Sequence, residues 1–184
     1  GYRYVSITAT GTVTIRQIRS VPVTSITAGM ETGTLETGSR DINQLISNIR
    51  WGQLSNYLSV PTDCPQRNER LGWTADAQVF AEAGTFNAST YQFFRKWMRD
   101  MRDSQHDDGS FPSVAPYAQY GNEGHRLGWA DAGVIIPYIC WKQFGDTQII
   151  RENFASMERF LDMQAKDNYR TVIHPDGTPD MQYA

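Results

Sequence analysis

The sequence predicts a mainly α-helical chain built from repeated helical hairpins and preceded by a short β-strand region. Three observations lead there. The apolar period changes from two to about 3.6 near residue 39. Gly and Pro clusters then divide the remainder into about five helical segments. Finally, Arg70-Leu71-Gly72-Trp73-Thr74-Ala75-Asp76-Ala77 recurs, one residue shorter, as Arg126-Leu127-Gly128-Trp129-Ala130-Asp131-Ala132, 56 positions later. Each copy ends a long loop and opens a helix, and roughly that spacing belongs to one hairpin in a toroid of hairpins.

The elements follow in order. Tyr4–Thr10 and Thr12–Ile18 alternate apolar with polar residues and are rich in Val, Ile and Thr, so both read as strands. Val21–Ile26 reads as a third, with Pro22 favouring an edge. Residues 29–38 form a Gly-rich connector. Ser39 can cap a first helix with Ile42, Leu45/Ile46 and Ile49 on its inner face, continuing to about residue 58. A loop over 59–73 contains Pro61 and Pro65. A second helix over 75–83 ends at Gly84, and Asn87 caps a third with Phe94, Trp97/Met98 and Met101 inward. Residues 104–128 form a long loop in which Asp108-Gly109 makes a turn. A fourth helix over 131–143 is kinked at Pro137. Gly145-Asp146 starts a fifth, with Ile150, Phe154, Met157 and Phe160/Leu161 inward, and the last eighteen residues are irregular.

Composition narrows the function. Of 184 residues, 40 % are hydrophobic and 20 % charged, enough for a packed core. A net charge of −3 offers nothing to nucleic acid or to an anionic membrane surface. No apolar run reaches the roughly 20 residues that span a bilayer. Cys64 and Cys140 define neither a disulfide framework nor a zinc site. His106, His125 and His174 are too dispersed for a metal triad, so neither metal nor other cofactor is expected. Five Trp and nine Tyr are many for this length. Such rings pack cores, and they also offer flat faces to the C–H surfaces of sugars.

Between Asp63 and Asp76 lie three carboxylates, two guanidiniums and a Trp within fourteen residues. One reading is a solvated loop with a helix cap at Asp76. The other is a sugar site, because glycoside hydrolysis needs a carboxylic acid to protonate the leaving oxygen and a second carboxylate to activate water or to attack. Nearby carboxylates favour the protonated form of such an acid and nearby guanidiniums oppose it. Asp63 and Asp76 set against Arg67 and Arg70 leave the sign open.

The run from Asp63 to Ala77 resembles the catalytic loop of glycoside hydrolase family 78, the α-L-rhamnosidases. That pattern has Asp where Asn68 stands and often Gly where Ala75 stands. Gly128-Trp129-Ala130-Asp131-Ala132 with Ile136-Pro137-Tyr138 is similar to a second family segment, and Gly33-Thr34-Leu35-Glu36-Thr37 to the stretch leading into its barrel. The resemblance implies a partial (α/α)6 barrel over 31–184 as the N-terminal portion of a catalytic domain, with 1–30 the end of a β-rich flanking domain or a connector. It implies an inverting glycosidase that removes terminal α-L-rhamnosyl residues from glycans or glycosides. Glu69 takes the role of general acid. Asp63, Arg67 and Asp76 correspond to residues around the sugar hydroxyls. Trp73 and Trp129 are candidate pocket walls and Asp131 a further candidate, although Trp73 also reads as core and Asp131 as a helix cap. A periplasmic or secreted location is favoured, with the cytoplasm left open.

A complete barrel of twelve helices exceeds this length, and no second catalytic Glu is evident downstream. The chain is therefore expected to be an inactive fragment that can self-associate through exposed barrel faces. A sugar-binding helical module without catalysis and a purely structural helical domain are the competing readings.

Overall fold

The computed structural model describes residues 4–118, 128–167, 169–173, 175 and 179–183. Five helices dominate: α1 (Arg40–Asn56), α2 (Thr74–Asn87), α3 (Tyr91–Asp103), α4 (Ala132–Phe144) and α5 (Gln148–Asp167). A small antiparallel pair, β1 (Tyr57–Leu58) with β2 (Val60–Pro61), follows α1. An antiparallel hairpin of β3 (Tyr169–Ile173) and β4 (Pro179–Tyr183) follows α5.

The helices lie in two layers. α2 and α4 pack together, as do α3 and α5, and α4 also packs against α3 and α5. Within each layer the helices run in the same sense. Glu82 of α2 pairs with Lys142 of α4 at 3.1 Å. On the other side Arg95 pairs with Glu152, Arg102 donates to Asn153 at 2.6 Å and Gln105 to the Ser156 carbonyl at 2.8 Å. Repeated up–down hairpins give this alternation.

The α3 stripe forms as its spacing predicts: Phe94, Trp97, Met98 and Met101 are fully buried. At roughly 1.5–3 kcal/mol for each large apolar side chain, this stripe outweighs any propensity effect in the helix. Ser39 caps α1, its hydroxyl accepting from the Ile42 N–H at 3.5 Å. However, Ile42, Leu45 and Ile49 stay exposed, and α1 is anchored by its C-terminal end, where Gln53 and Leu54 are buried. In α5 the expected stripe is split: Met157 and Phe160 are buried, while Phe154 and Leu161 are exposed. Pro137 lies buried inside α4. Gly145 ends that helix at φ 72°, and Asp146 then accepts the Gln148 N–H at 2.8 Å to start α5.

Four expectations are corrected. Gly84 does not end α2, because it is a close-approach glycine. Gln53 donates to its carbonyl at 3.0 Å, and a Cβ there would lie 2.9 Å from the Tyr57 hydroxyl. Asn87 is consequently the last residue of α2, its side chain donating to Gln53 at 2.9 Å, and Thr90 occupies the cap position of α3. Residues 4–27 form no regular element, and no described strand pairs with them. Tyr4, Val5, Ile7, Val13, Ile15 and Ile18 are exposed, and a strand needs a neighbour to take its N–H and C=O groups. The segment joins the body at Thr24–Ile26: the Ser25 N–H donates to Tyr57 O at 2.7 Å and Ile26 is buried. The C-terminal stretch is not irregular, because Tyr-Arg-Thr-Val-Ile pairs as β3 with β4.

Candidate active site

One end of the helix layers collects the loop from 62 to 73, residues 110–115 and the turn at 128–131. The first loop is closed on itself. The Asp63 N–H donates to Leu71 O and the Leu71 N–H returns to the Asp63 carboxylate, both at 3.0 Å. To turn back, the chain takes Arg70 to φ 52°, where a side chain costs about 1 kcal/mol or more. The base of the loop is pinned to the segment after α3. Ala115 N donates to Gly72 O at 2.9 Å, and both the N–H and hydroxyl of Thr74 bond Ser113 O. Gly72 has no room for a side chain, since a Cβ would lie 2.1 Å from Ala115 O. Phe111, Val114 and Ala115 are buried, so the middle of the expected long loop is part of the core. Its Asp108-Gly109 turn forms as expected, with Gly109 at φ 99° and Asp108 accepting the Ser110 N–H at 2.8 Å.

Glu69 stands at the centre of this loop. Its Oε1 accepts from the Trp73 indole N–H at 2.9 Å, and its Oε2 is paired with the Arg67 guanidinium. The buried Cys64 thiol lies 3.9 Å from the same Oε2. Arg67 also reaches to 4.0 Å from Asp63 Oδ2, and its side chain is 64 % exposed against 8 % for Asp63. Asp63 is therefore fixed, while Arg67 is held only by its partners. The ligand atoms of Asp63, Cys64 and Glu69 lie within 4.8 Å of one another, a spacing that can hold a metal ion. Here the guanidinium of Arg67 already supplies the positive charge to the two carboxylates.

Asp63 and Asp76 share the wall of a cavity of about 520 Å³ between the C-terminal end of α1 and the first turns of α2, with Asn56, Thr62 and Phe80. Such a volume suits a small ligand. Glu69 is outside that lining, beside Asp63. The Asp76 carboxyl is held above its ordinary value, first by partial desolvation and then by the charges of Asp63 and Glu69, against the pull of its own backbone N–H.

The second copy of the repeat is tied to the first. Gln78, one turn into α2, donates to Gly128 O at 2.6 Å. Gly128 takes φ 83°, and its N–H donates to Asp131 at 2.7 Å. Trp129 is half-buried in this turn. The expected capping differs between copies. Trp73 itself occupies the cap position of α2 and Asp76 falls in the first turn, whereas Asp131 occupies the cap position of α4 but binds Gly128 instead of a helix N–H. The structure thus joins Asp63, Arg67, Glu69 and Trp73 in one network, sets Asp76 on the adjoining cavity, and places Trp129 and Asp131 on the neighbouring turn. Cys64 and Gln78 were missed by sequence reasoning. Cys64 could have been noticed from its place inside the acidic loop, but Gln78 has no local signal. Glu123, which the sequence offers beside Asp131 as a stand-in base, lies outside the described residues, as do His125 and His174.

The sequence model for the bacterial alpha-L-rhamnosidase six-hairpin glycosidase domain matches residues 30–183. An alpha-L-rhamnosidase of Formosa agariphila is 39 % identical over 150 residues, covering 82 % of this chain and 16 % of its own length. One from Streptomyces avermitilis is 38 % identical over 187 residues, covering 98 % of this chain and 17 % of its own length. The chain thus spans about one-sixth of the length of these relatives. Among solved structures, Streptomyces avermitilis alpha-L-rhamnosidase complexed with L-rhamnose superimposes with a TM-score of 0.73 and 41 % identity over 78 % of this chain and 14 % of that one. Alpha-L-rhamnosidase from Dictyoglumus thermophilum gives 0.72 and 35 % over 74 % and 15 %. The five helices are accordingly part of an (α/α)6 barrel, and the chain belongs to the bacterial alpha-L-rhamnosidase six-hairpin glycosidase family.

Proposed function

We propose that this chain supplies the acid side of an inverting α-L-rhamnosidase, with Glu69 as general acid and a rhamnose-containing glycan or glycoside as substrate. The observation that carries the reading is the placement of Glu69. Both of its oxygens are held by donors, beside a cavity that presents Asp63 and Asp76. A protonated Glu69 delivers its proton to the glycosidic oxygen as the bond to C1 breaks. Asp63, Asp76 and Arg67 take the sugar hydroxyls, with Trp73 and Trp129 as walls and Asp131 fixing the Trp129 turn. The general base lies outside these residues, in a longer enzyme whose flanking β region is joined through residues 1–30. By itself the 184-residue chain is therefore expected to bind rhamnose weakly and to turn over aryl α-L-rhamnosides poorly, since a missing base costs typically 10²–10⁴-fold.

The test is the stereochemistry of hydrolysis by that longer enzyme. Proton NMR of early product should show β-L-rhamnose first, as inversion requires. Early accumulation of the α-anomer, or no hydrolysis of aryl α-L-rhamnosides, overturns the assignment.

A further inference from the structure

We infer that Trp73 is a positioning residue that reserves Glu69 Oε1 as the carbonyl oxygen and so designates Oε2 as the oxygen that carries and delivers the proton. The inference rests on Glu69 being the general acid. The indole N–H can only donate. It sits 2.9 Å from Oε1 on a half-buried ring whose backbone is fixed on both sides, by Gly72 to Ala115 and by Thr74 to Ser113. In a protonated carboxyl group the carbonyl oxygen is the stronger acceptor, so the acid proton settles on the other oxygen, Oε2.

Oε2 is also the oxygen paired with Arg67. A guanidinium only donates, and its charge beside Oε2 favours the ionised carboxylate over a proton on that oxygen. Arg67 pairs with Oε2 in the ionised state. In the protonated state it turns to Asp63 Oδ2, which is already only 4.0 Å away, and its largely exposed side chain permits the movement. During cleavage the Oε2–H bond breaks and its electron pair stays on Glu69 as carboxylate. The proton bonds to the leaving oxygen, which also keeps the electron pair of the broken bond to C1. On the opposite face a water bonds C1 and gives its proton to the general base of the longer enzyme; Arg67 returns to the new carboxylate until solvent passes a proton back to it. Trp73 therefore does more than wall the sugar site, because it fixes which lone pair faces the leaving group.

The test uses Trp73→Phe in the longer enzyme, which keeps a ring and removes the donor. With an alkyl rhamnoside, whose leaving group needs protonation, kcat should fall by at least about tenfold, as expected for a lost hydrogen bond to a charged group. With an activated nitrophenyl rhamnoside it should fall by less than about threefold. In a Glu69→Gln background the same change should add less than about threefold on either substrate, because the acid it positions is gone. Equal losses on both substrates, or a rise in KM with kcat unchanged, would show a wall or structural role and overturn the inference. If Trp73→Phe does not fold, benzothienylalanine at position 73 preserves the indole shape without the N–H and must give the same split. Should Glu69→Gln show no dependence on leaving group, the general-acid assignment itself has failed, which is a separate outcome from failure of the Trp73 role.

Discussion

Gly72→Ala probes the junction on which the candidate site is built. Real Cβ atoms keep beyond 3.0 Å of other heavy atoms, and here the new methyl would meet Ala115 O at 2.1 Å. One backbone must retreat by about 1 Å. Two bonds depend on that spacing: Ala115 N to Gly72 O at 2.9 Å and the Trp97 indole N–H to Ala115 O at 2.9 Å. The first is worth about 0.5–1.5 kcal/mol. The second serves a fully buried Trp97, and stranding its donor costs about 1–3 kcal/mol. A loss of about 1.5–4.5 kcal/mol follows, or roughly 3–18 °C in Tm for a domain of this size. Because Trp73 is the next residue, the site should suffer beyond the loss of stability. Activity on an alkyl rhamnoside, measured well below Tm in the longer enzyme, should drop at least about tenfold. Differential scanning calorimetry and steady-state kinetics provide both numbers. A Tm change under 2 °C with unchanged kinetics would show that the loop tolerates displacement and would refute the reasoning.

Three further outcomes are expected. Folding raises the Asp76 pKa above 3.8, so its contribution is fully present below that pH and is lost as pH rises through the raised value, leaving the charged carboxylate opposing folding at neutral pH. Asp76→Asn should therefore leave Tm at pH 7 unchanged or higher, with the difference vanishing below pH 3.8, while rhamnose affinity measured by calorimetry falls. Burial pushes the Cys140 thiol from 9.0 up to about 12, so stability should fall as pH rises from about 9 toward 12, by up to about 1.4 kcal/mol per pH unit, and denaturant titrations of Cys140→Ala should show a flatter decline. Ser39→Ala should lower stability by about 1 kcal/mol in urea titration through loss of the bond to the Ile42 N–H, with no effect on catalysis.

What could be read in advance was local. The α3 stripe of Phe94, Trp97, Met98 and Met101 repeats at helical spacing, and Ser39 stands where a cap belongs, so both formed as expected. The loop from Asp63 to Asp76 was conspicuous because its charges crowd a short stretch. Non-local contacts were hidden. Gly84 looks like a helix terminator until Gln53 and Tyr57 approach it from α1. Asn87 looks like a cap until its amide bonds Gln53. The alternation of residues 4–18 gives a strand pattern, but pairing depends on a partner elsewhere. Gln78 acquires its role only when α4 brings Gly128 alongside. The hairpin of β3 and β4 does carry a local signal, the run Tyr-Arg-Thr-Val-Ile followed shortly by Pro-Asp-Gly.

The most direct measurement of the account is the leaving-group dependence of Glu69→Gln in the longer enzyme, across α-L-rhamnosides from alkyl to nitrophenyl. A general acid matters most where the departing oxygen is basic. The account predicts that kcat for alkyl rhamnosides falls by about 10²–10⁴-fold while activated nitrophenyl rhamnosides lose far less. A small loss that is equal across the series would mean that Glu69, though held by Trp73 and Arg67, does not give up the proton.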